Sequence, residues 1–212
     1  MKKSIFILSI FTLIYSCTKK ESTPPVVIKL NADDSMRLGL LKIGQQYQGG
    51  VIAYILVSGD PGYEAIKKHG LIAASSDQSQ FPGVRWYNGA NISGPISTGA
   101  IGTAIGTGLS NTNKIIGNLG PPQISYAAYL ASAYKGGGYT DWFLPSKDEL
   151  NILYVNKLAI GGFENRRYWS SSEFVDFNGN GSSFAWSQDF GLYTQYASNS
   201  FLTYYVRAIR AF

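Results

Sequence analysis

Residues Asp141 to Leu158, DWFLPSKDELNILYVNKL, change periodicity within one short run and carry their own start and stop signals. Trp142-Phe143-Leu144 reads as a brief apolar strand ended by Pro145, and Ser146 then opens an S-x-x-E pattern with Glu149. That pattern predicts a capping box, in which the Ser146 hydroxyl accepts from the Glu149 N–H while the Glu149 carboxylate accepts from the Ser146 N–H. Asp148 and Glu149 also favour the positive end of a helix dipole. Leu150, Leu153, Tyr154 and Leu158 recur at helical spacing, and Gly161-Gly162 supplies the stop. A strand, a tight turn and a capped amphipathic helix need a sheet beneath the apolar stripe.

The chain has 212 residues and a formal net charge of +5. It begins Met1-Lys2-Lys3, followed by an apolar run from Ile5 to Tyr15, and this predicts a secretory leader too short to span a bilayer. Ile14-Tyr15-Ser16-Cys17 resembles the lipobox of bacterial lipoproteins. The resemblance implies cleavage before Cys17 and lipidation of that residue; the other reading is a plain leader with a free thiol. Two or three acyl chains anchor stably where one does not. The expected divisions are residues 1–16 as leader, 17–42 as lipidated cysteine and tether, and 43–212 as one domain. Loss of the leader leaves 16 basic against 13 acidic side chains, a mild excess that does not call for nucleic acid. Cys17 is the only cysteine, so no disulfide within the chain can support the fold, and 15 Tyr, 11 Phe and 4 Trp must supply buried area.

Val51 to Val57 is nearly continuous in apolar, β-branched residues and predicts a buried strand, which Gly70 to Ala74 pairs as an antiparallel neighbour. Residues 75 to 110 are rich in Ser, Gly, Asn and Thr and read as a long irregular excursion. Short helices are expected from Ser110 or Asn111 through Ile116 and over Ser125 to Tyr134. Strands are expected at Tyr168–Glu173, Phe184–Ser187, Leu192–Tyr196 and Tyr204–Phe212. The expected class is α+β: one compact domain with an antiparallel sheet and two or three helices.

In order, WFLPSKDEL, YWSSSE, FAWSQDF and VRAIRAF, preceded by YQGGVIAYIL, HGLIAA and GTGLSNT, resemble a domain of unknown function found in bacterial surface lipoproteins. The same domain ends the Legionella collagen-like adhesin, and the upstream segments look like its Bacteroidetes lipoprotein form. The resemblance covers Ile43 to Phe212. It implies a fold distantly similar to C-type lectins and to the formylglycine-generating enzyme and, for the adhesin, binding of sulfated polysaccharide. The thiol chemistry of that enzyme has no residue here after Cys17, and the calcium-ligating triplets of C-type lectins do not occur.

Trp86, Tyr87 and Asn88 lie in the polar excursion, where an aromatic among amides suits either stacking on a sugar or pinning the loop to the core. Arg166-Arg167 offers forked donors for an anion such as sulfate, or is a solvated pair. Tyr193 and Tyr196 belong to a Tyr-rich turn counted with the ligand-binding candidates. Asp176, Asn178, Asn180 and Gly181 open a calcium-loop pattern, but Ser187 stands where the closing acid belongs, so a turn is the expected reading and no metal is assigned. His69 is the only histidine and reads as a loop residue, which excludes a histidine-based triad. Ser170, Ser171 and Ser172 are expected to bond to backbone. Trp142, Trp169 and Trp186 are expected in the core, and Arg207 and Arg210 on opposite strand faces, so that at least one is structural, a buried carboxylate being one partner for it.

No catalytic residue and no cofactor is assigned, although carboxylate pairs such as Asp148 with Glu149 or Glu173 with Asp176 leave a polysaccharide-acting enzyme open. The expected function is a cell-envelope lipoprotein, in the outer membrane, that binds a glycan or other surface polymer. The alternative is an envelope scaffold that binds another protein. The expected partners are the membrane, through Cys17, and such a ligand.

Overall fold

The computed structural model describes residues 40–88, 97–122, 125–175 and 181–212. The leader, Cys17, the tether before Leu40 and the Asp176-Asn178-Asn180 turn lie outside the described residues.

The fold is α+β, with two antiparallel sheets and helices packed on them. One sheet has the order β1-β2-β3-β7, from Gln46–Tyr47, Gly50–Ile55, Gly70–Ala73 and Ile209–Ala211. The other has the order β4-β5-β6, from Arg167–Val175, Gly181–Asp189 and Thr194–Asn199. The helices among the described residues are α1 (Gly108–Leu119), α2 (Ala127–Ala133), α3 (Lys147–Val155) and the single turn α4 (Lys157–Ile160). None of them is long and apolar enough to cross a membrane.

The apolar run of β2 is explained by cores on both sides. Val51 and Ala53 join Leu71, Ala73, Leu150, Leu153 and Phe190 in one cluster. Ile52 points the other way, with Ile72, Trp86, Ile115, Trp142 and Trp169. A strand covered on both faces has no reason to alternate. Leu41 belongs to the second cluster and is buried, so the packed body includes residues N-terminal to the expected boundary at 43.

The capping box forms as the sequence predicts. The Ser146 N–H donates to Glu149 Oε2 at 2.7 Å, and the Glu149 N–H donates to the Ser146 hydroxyl at 3.3 Å. Other expectations change where tertiary partners intervene. Trp142 to Leu144 makes one bridge, Phe143 with Ile209, rather than a strand. The expected terminal strand is confined to Ile209–Ala211, because Tyr204 and Tyr205 bridge instead to Val84 and Tyr168. Helix α1 starts at Gly108, before Ser110 and Asn111, and the Asn111 amide instead donates to the Gly102 carbonyl at 2.6 Å. Asn156 divides the organising helix, and Gly161, at φ 78°, ends it.

Arg207 and Arg210 are both paired. Arg207 is fully buried, donates to Asp77 at 2.7 Å and also reaches the carbonyls of Ala74, Gly161 and Gly162. Arg210 makes a two-pronged contact to Asp141 at 2.7 and 2.8 Å.

Candidate functional site

The side chains of a strand alternate between its two faces, and the register of β4, β5 and β6 sorts their residues accordingly. Arg167 lies opposite Asp189, which lies opposite Thr194; the parallel row two residues on is Trp169, Ser187 and Tyr196. These rows share one face. Tyr168, Gln188 and Gln195 form the row between them and point the other way, toward α3, where Gln188 donates to Asn151 and Gln195 to the Lys147 carbonyl.

On the first face, a cleft of about 400 Å³ opens between Phe81-Pro82, Arg166-Arg167, Asp189 and Tyr204. The Arg167 guanidinium carbon lies 4.2 Å from the Tyr196 ring centre and 5.7 Å from that of Tyr204. Arg167 donates to the Tyr204 hydroxyl at 3.2 Å and to Asp189 at 3.4 Å. The Tyr204 hydroxyl, and beyond it Asp189, raise the pKa of this guanidinium above its ordinary value, so it stays charged. Asp189 is itself fixed by accepting from the N–H groups of Gly191 and Leu192.

Arg166 differs from its neighbour. Its side chain is exposed, has no ion-pair partner among the described residues, and sits 5.3 Å from the ring of the exposed Phe81. The cleft therefore offers one planar cation with no ion-pair partner among the described residues, one braced cation, the exposed Phe81 ring and the oxygens of Asp189, Thr203 and Tyr204. That set suits a ring-bearing polar ligand with anionic substituents: aromatic faces stack, guanidinium forks hold oxyanions, and a carboxylate accepts from hydroxyls. No protein-family model matches the chain, and no curated protein is detectably similar to it.

Of the residues singled out in the sequence, the cleft gathers Arg166 and Arg167, with Tyr196 behind Arg167. Tyr193 is exposed but on a different surface, its ring 5.0 Å from that of Tyr154. The assignment of Trp86, Tyr87 and Asn88 to ligand binding is corrected. Trp86 is 1% exposed, and its indole N–H donates to the Ser170 carbonyl at 2.9 Å. Tyr87 is buried with its ring against Phe201, and the Asn88 amide donates to the Leu119 carbonyl. All three pin the excursion to the core, and no open face remains for a ligand.

Trp142 and Trp169 are core residues as expected, whereas Trp186 is half-buried beneath the Lys147 ammonium. His69 is more than a solvated loop residue, since its ring contacts Glu64 at 2.9 Å and the Phe212 carbonyl at 3.1 Å. Ser170 and Ser172 bond to backbone carbonyls of Trp186 and Gly102. Glu149 is buried, with one oxygen accepting from Ser146 and the other from the Gly106 N–H at 2.8 Å. Glu173 is buried and accepts from the Thr98 N–H and hydroxyl. No cluster of three metal-ligating side chains occurs among the described residues.

Sequence reading did not single out Phe81, Asp189, Thr203 or Tyr204, although Phe81 lies in the polar excursion of residues 75 to 110 and Tyr204 in the Tyr-rich C-terminal stretch, both expected to carry the ligand. Arg166-Arg167 before a strand marks a sheet rim but not which residues the rim faces.

Proposed function

We propose that the chain is a lipid-anchored protein of the cell envelope, moored in the outer membrane through Cys17, whose domain binds an anionic glycan or surface polymer in the Arg166/Arg167 cleft. The observation that carries this reading is the exposed Arg166 guanidinium, which has no ion-pair partner among the described residues and lies over the exposed Phe81 ring, next to a second, braced guanidinium in the same cleft. The ordered motifs that resemble the surface-lipoprotein domain point to the same ligand class.

The test is binding of the full chain to an array of sulfated, carboxylated and neutral polysaccharides. Anionic polymers are expected to bind with an affinity that falls as salt rises. Arg166→Ala is expected to weaken binding roughly tenfold, the equivalent of ~1.4 kcal/mol, without loss of stability, because its side chain is exposed. Phe81→Ala is expected to weaken binding of the same polymers. Salt-insensitive binding, or binding unchanged by Arg166→Ala, would reject the anionic-polymer reading. A second reading, an envelope scaffold, is favoured by the exposed Phe201 and Leu202 and predicts capture of one envelope protein with no polysaccharide bound.

A further inference from the structure

We propose that the surface formed by the end of α3, by α4 and by the entering chain at Leu40–Ile43 lies flat on the lipid bilayer, so that the moored domain holds one orientation. The proposal rests on the lipid anchoring proposed above. It begins with apolar side chains that the fold leaves in water. Leu158 is 93% exposed, Val155 62%, Leu40 53% and Ile43 38%. Leu192 and Tyr193 of the β5–β6 turn are also exposed, and Tyr193 packs on Tyr154, next to Val155.

These residues come together through specific contacts. A Cβ built on Gly44 would stand 3.0 Å from the Ala159 carbonyl oxygen, which places the entering chain directly against α4. Lys157 of α4 donates to the Phe190 carbonyl at 2.6 Å and lies 4.3 Å from the Tyr154 ring centre, which joins α4 to the β5–β6 turn. The result is an apolar surface with tyrosines and the cations Lys42 and Lys157 among it, the composition that sits at a membrane interface.

The chain outside the described body decides the occupant. Residues 18–39 are the 22 residues between Cys17 and Leu40, and a chain of that length reaches at most roughly 80 Å. Lipid attached at Cys17 therefore keeps the domain beside the bilayer, and the chain enters it at this apolar surface.

The orientation has a consequence for the cleft. Helix α3 covers the Gln188 and Gln195 face of the second sheet, while Arg167 and Tyr196 occupy the opposite face. A domain seated on α3 and α4 turns the Arg167 and Tyr196 face from the lipid, with the Leu192 turn, whose N–H donates to Asp189, forming the rim of the cleft nearest the bilayer.

The test uses the full chain, with the N-terminus it carries in the cell, on zwitterionic phospholipid vesicles doped with a diazirine-bearing phospholipid. The mass of residue 17 decides the anchoring separately; where its thiol is bare, it is coupled to a maleimide lipid, so the orientation is tested either way. After irradiation, lipid adducts are expected to concentrate on Leu40, Ile43, Val155, Leu158 and the Leu192-Tyr193 turn, with none on Phe81 or Arg166. Val155→Ser/Leu158→Ser changes only exposed side chains and is expected to lose most adducts at α3 and α4. Adducts spread evenly over the surface, adducts at Phe81, or vesicle-bound protein with no adducts at Leu158 would each overturn the proposal.

Discussion

Glu149 performs two tasks with one carboxylate. Its Oε2 completes the α3 capping box, and its Oε1 accepts from Gly106 in the turn before α1, so the side chain fastens two helix starts together. Burial raises its pKa against the opposing pull of these N–H donors. Glu149→Gln puts an amide NH₂ against one of two backbone N–H groups, and the unsatisfied donor is expected to cost about 1–3 kcal/mol, read as a lower melting temperature. Trp86→Ala is expected to cost about 3–5 kcal/mol by opening a core cavity. Chemical denaturation will show that loss, and any fall in ligand affinity should follow the unfolded fraction. The two residues also show what was legible in the sequence. The capping box joins positions three apart and is written in consecutive letters, whereas Trp86 finds its acceptor at Ser170, 84 residues away. Only the folded chain distinguishes a pinned indole from an open one.

Helix α1 and strand β7 extend the same logic to elements. Gly108 opens α1, and a Cβ there would stand 2.2 Å from Glu149 Oε2 and 2.9 Å from the Ser146 nitrogen. Gly108→Ala should therefore destabilise the protein despite the higher helix propensity of alanine, and calorimetry checks the sign. Strand β7 is tied to the segment before α3 by Arg210 and Asp141, and that hydrogen bond, with the guanidinium charge, holds the Asp141 pKa below its ordinary value. A depressed acid stabilises the fold above the unfolded carboxylate pKa, near ~3.9, and that stabilisation is lost as pH falls through the lower folded value. Denaturation midpoints should thus drop below about pH 4, and Asp141→Asn should remove this component of the drop. The element types were mostly legible because their patterns are local. The lengths of the terminal strand and of α1 were not, because Tyr204, Tyr205 and Asn111 are claimed by distant partners.

For the whole molecule, one cysteine at position 17 means that the described body contains no cross-link, and its two cores share the strands β2 and β3. The melting temperature is therefore expected to be the same with and without a reducing thiol, and a difference of more than a degree or two would reveal a covalent contact between chains. The cleft belongs to this scale as well: Phe81, Arg167, Asp189 and Tyr204 come from four stretches of the chain that only sheet pairing and the Val84–Tyr204 bridge bring together. Sequence order showed two arginines at a rim and left the rest of the site unassembled.

Val206, Arg207, Ala208 and Ile209 are among the innermost residues of the described body. Arg207 reaches Asp77 and the carbonyls of Ala74, Gly161 and Gly162, and β7 lies between β3 and Phe143. A ribosome that has delivered the first two hundred residues has not yet supplied the piece that locks the interior. The body closes only once Arg207 and β7 are supplied, and a chain cut just before Arg207 is expected to be open and readily digested in limited proteolysis.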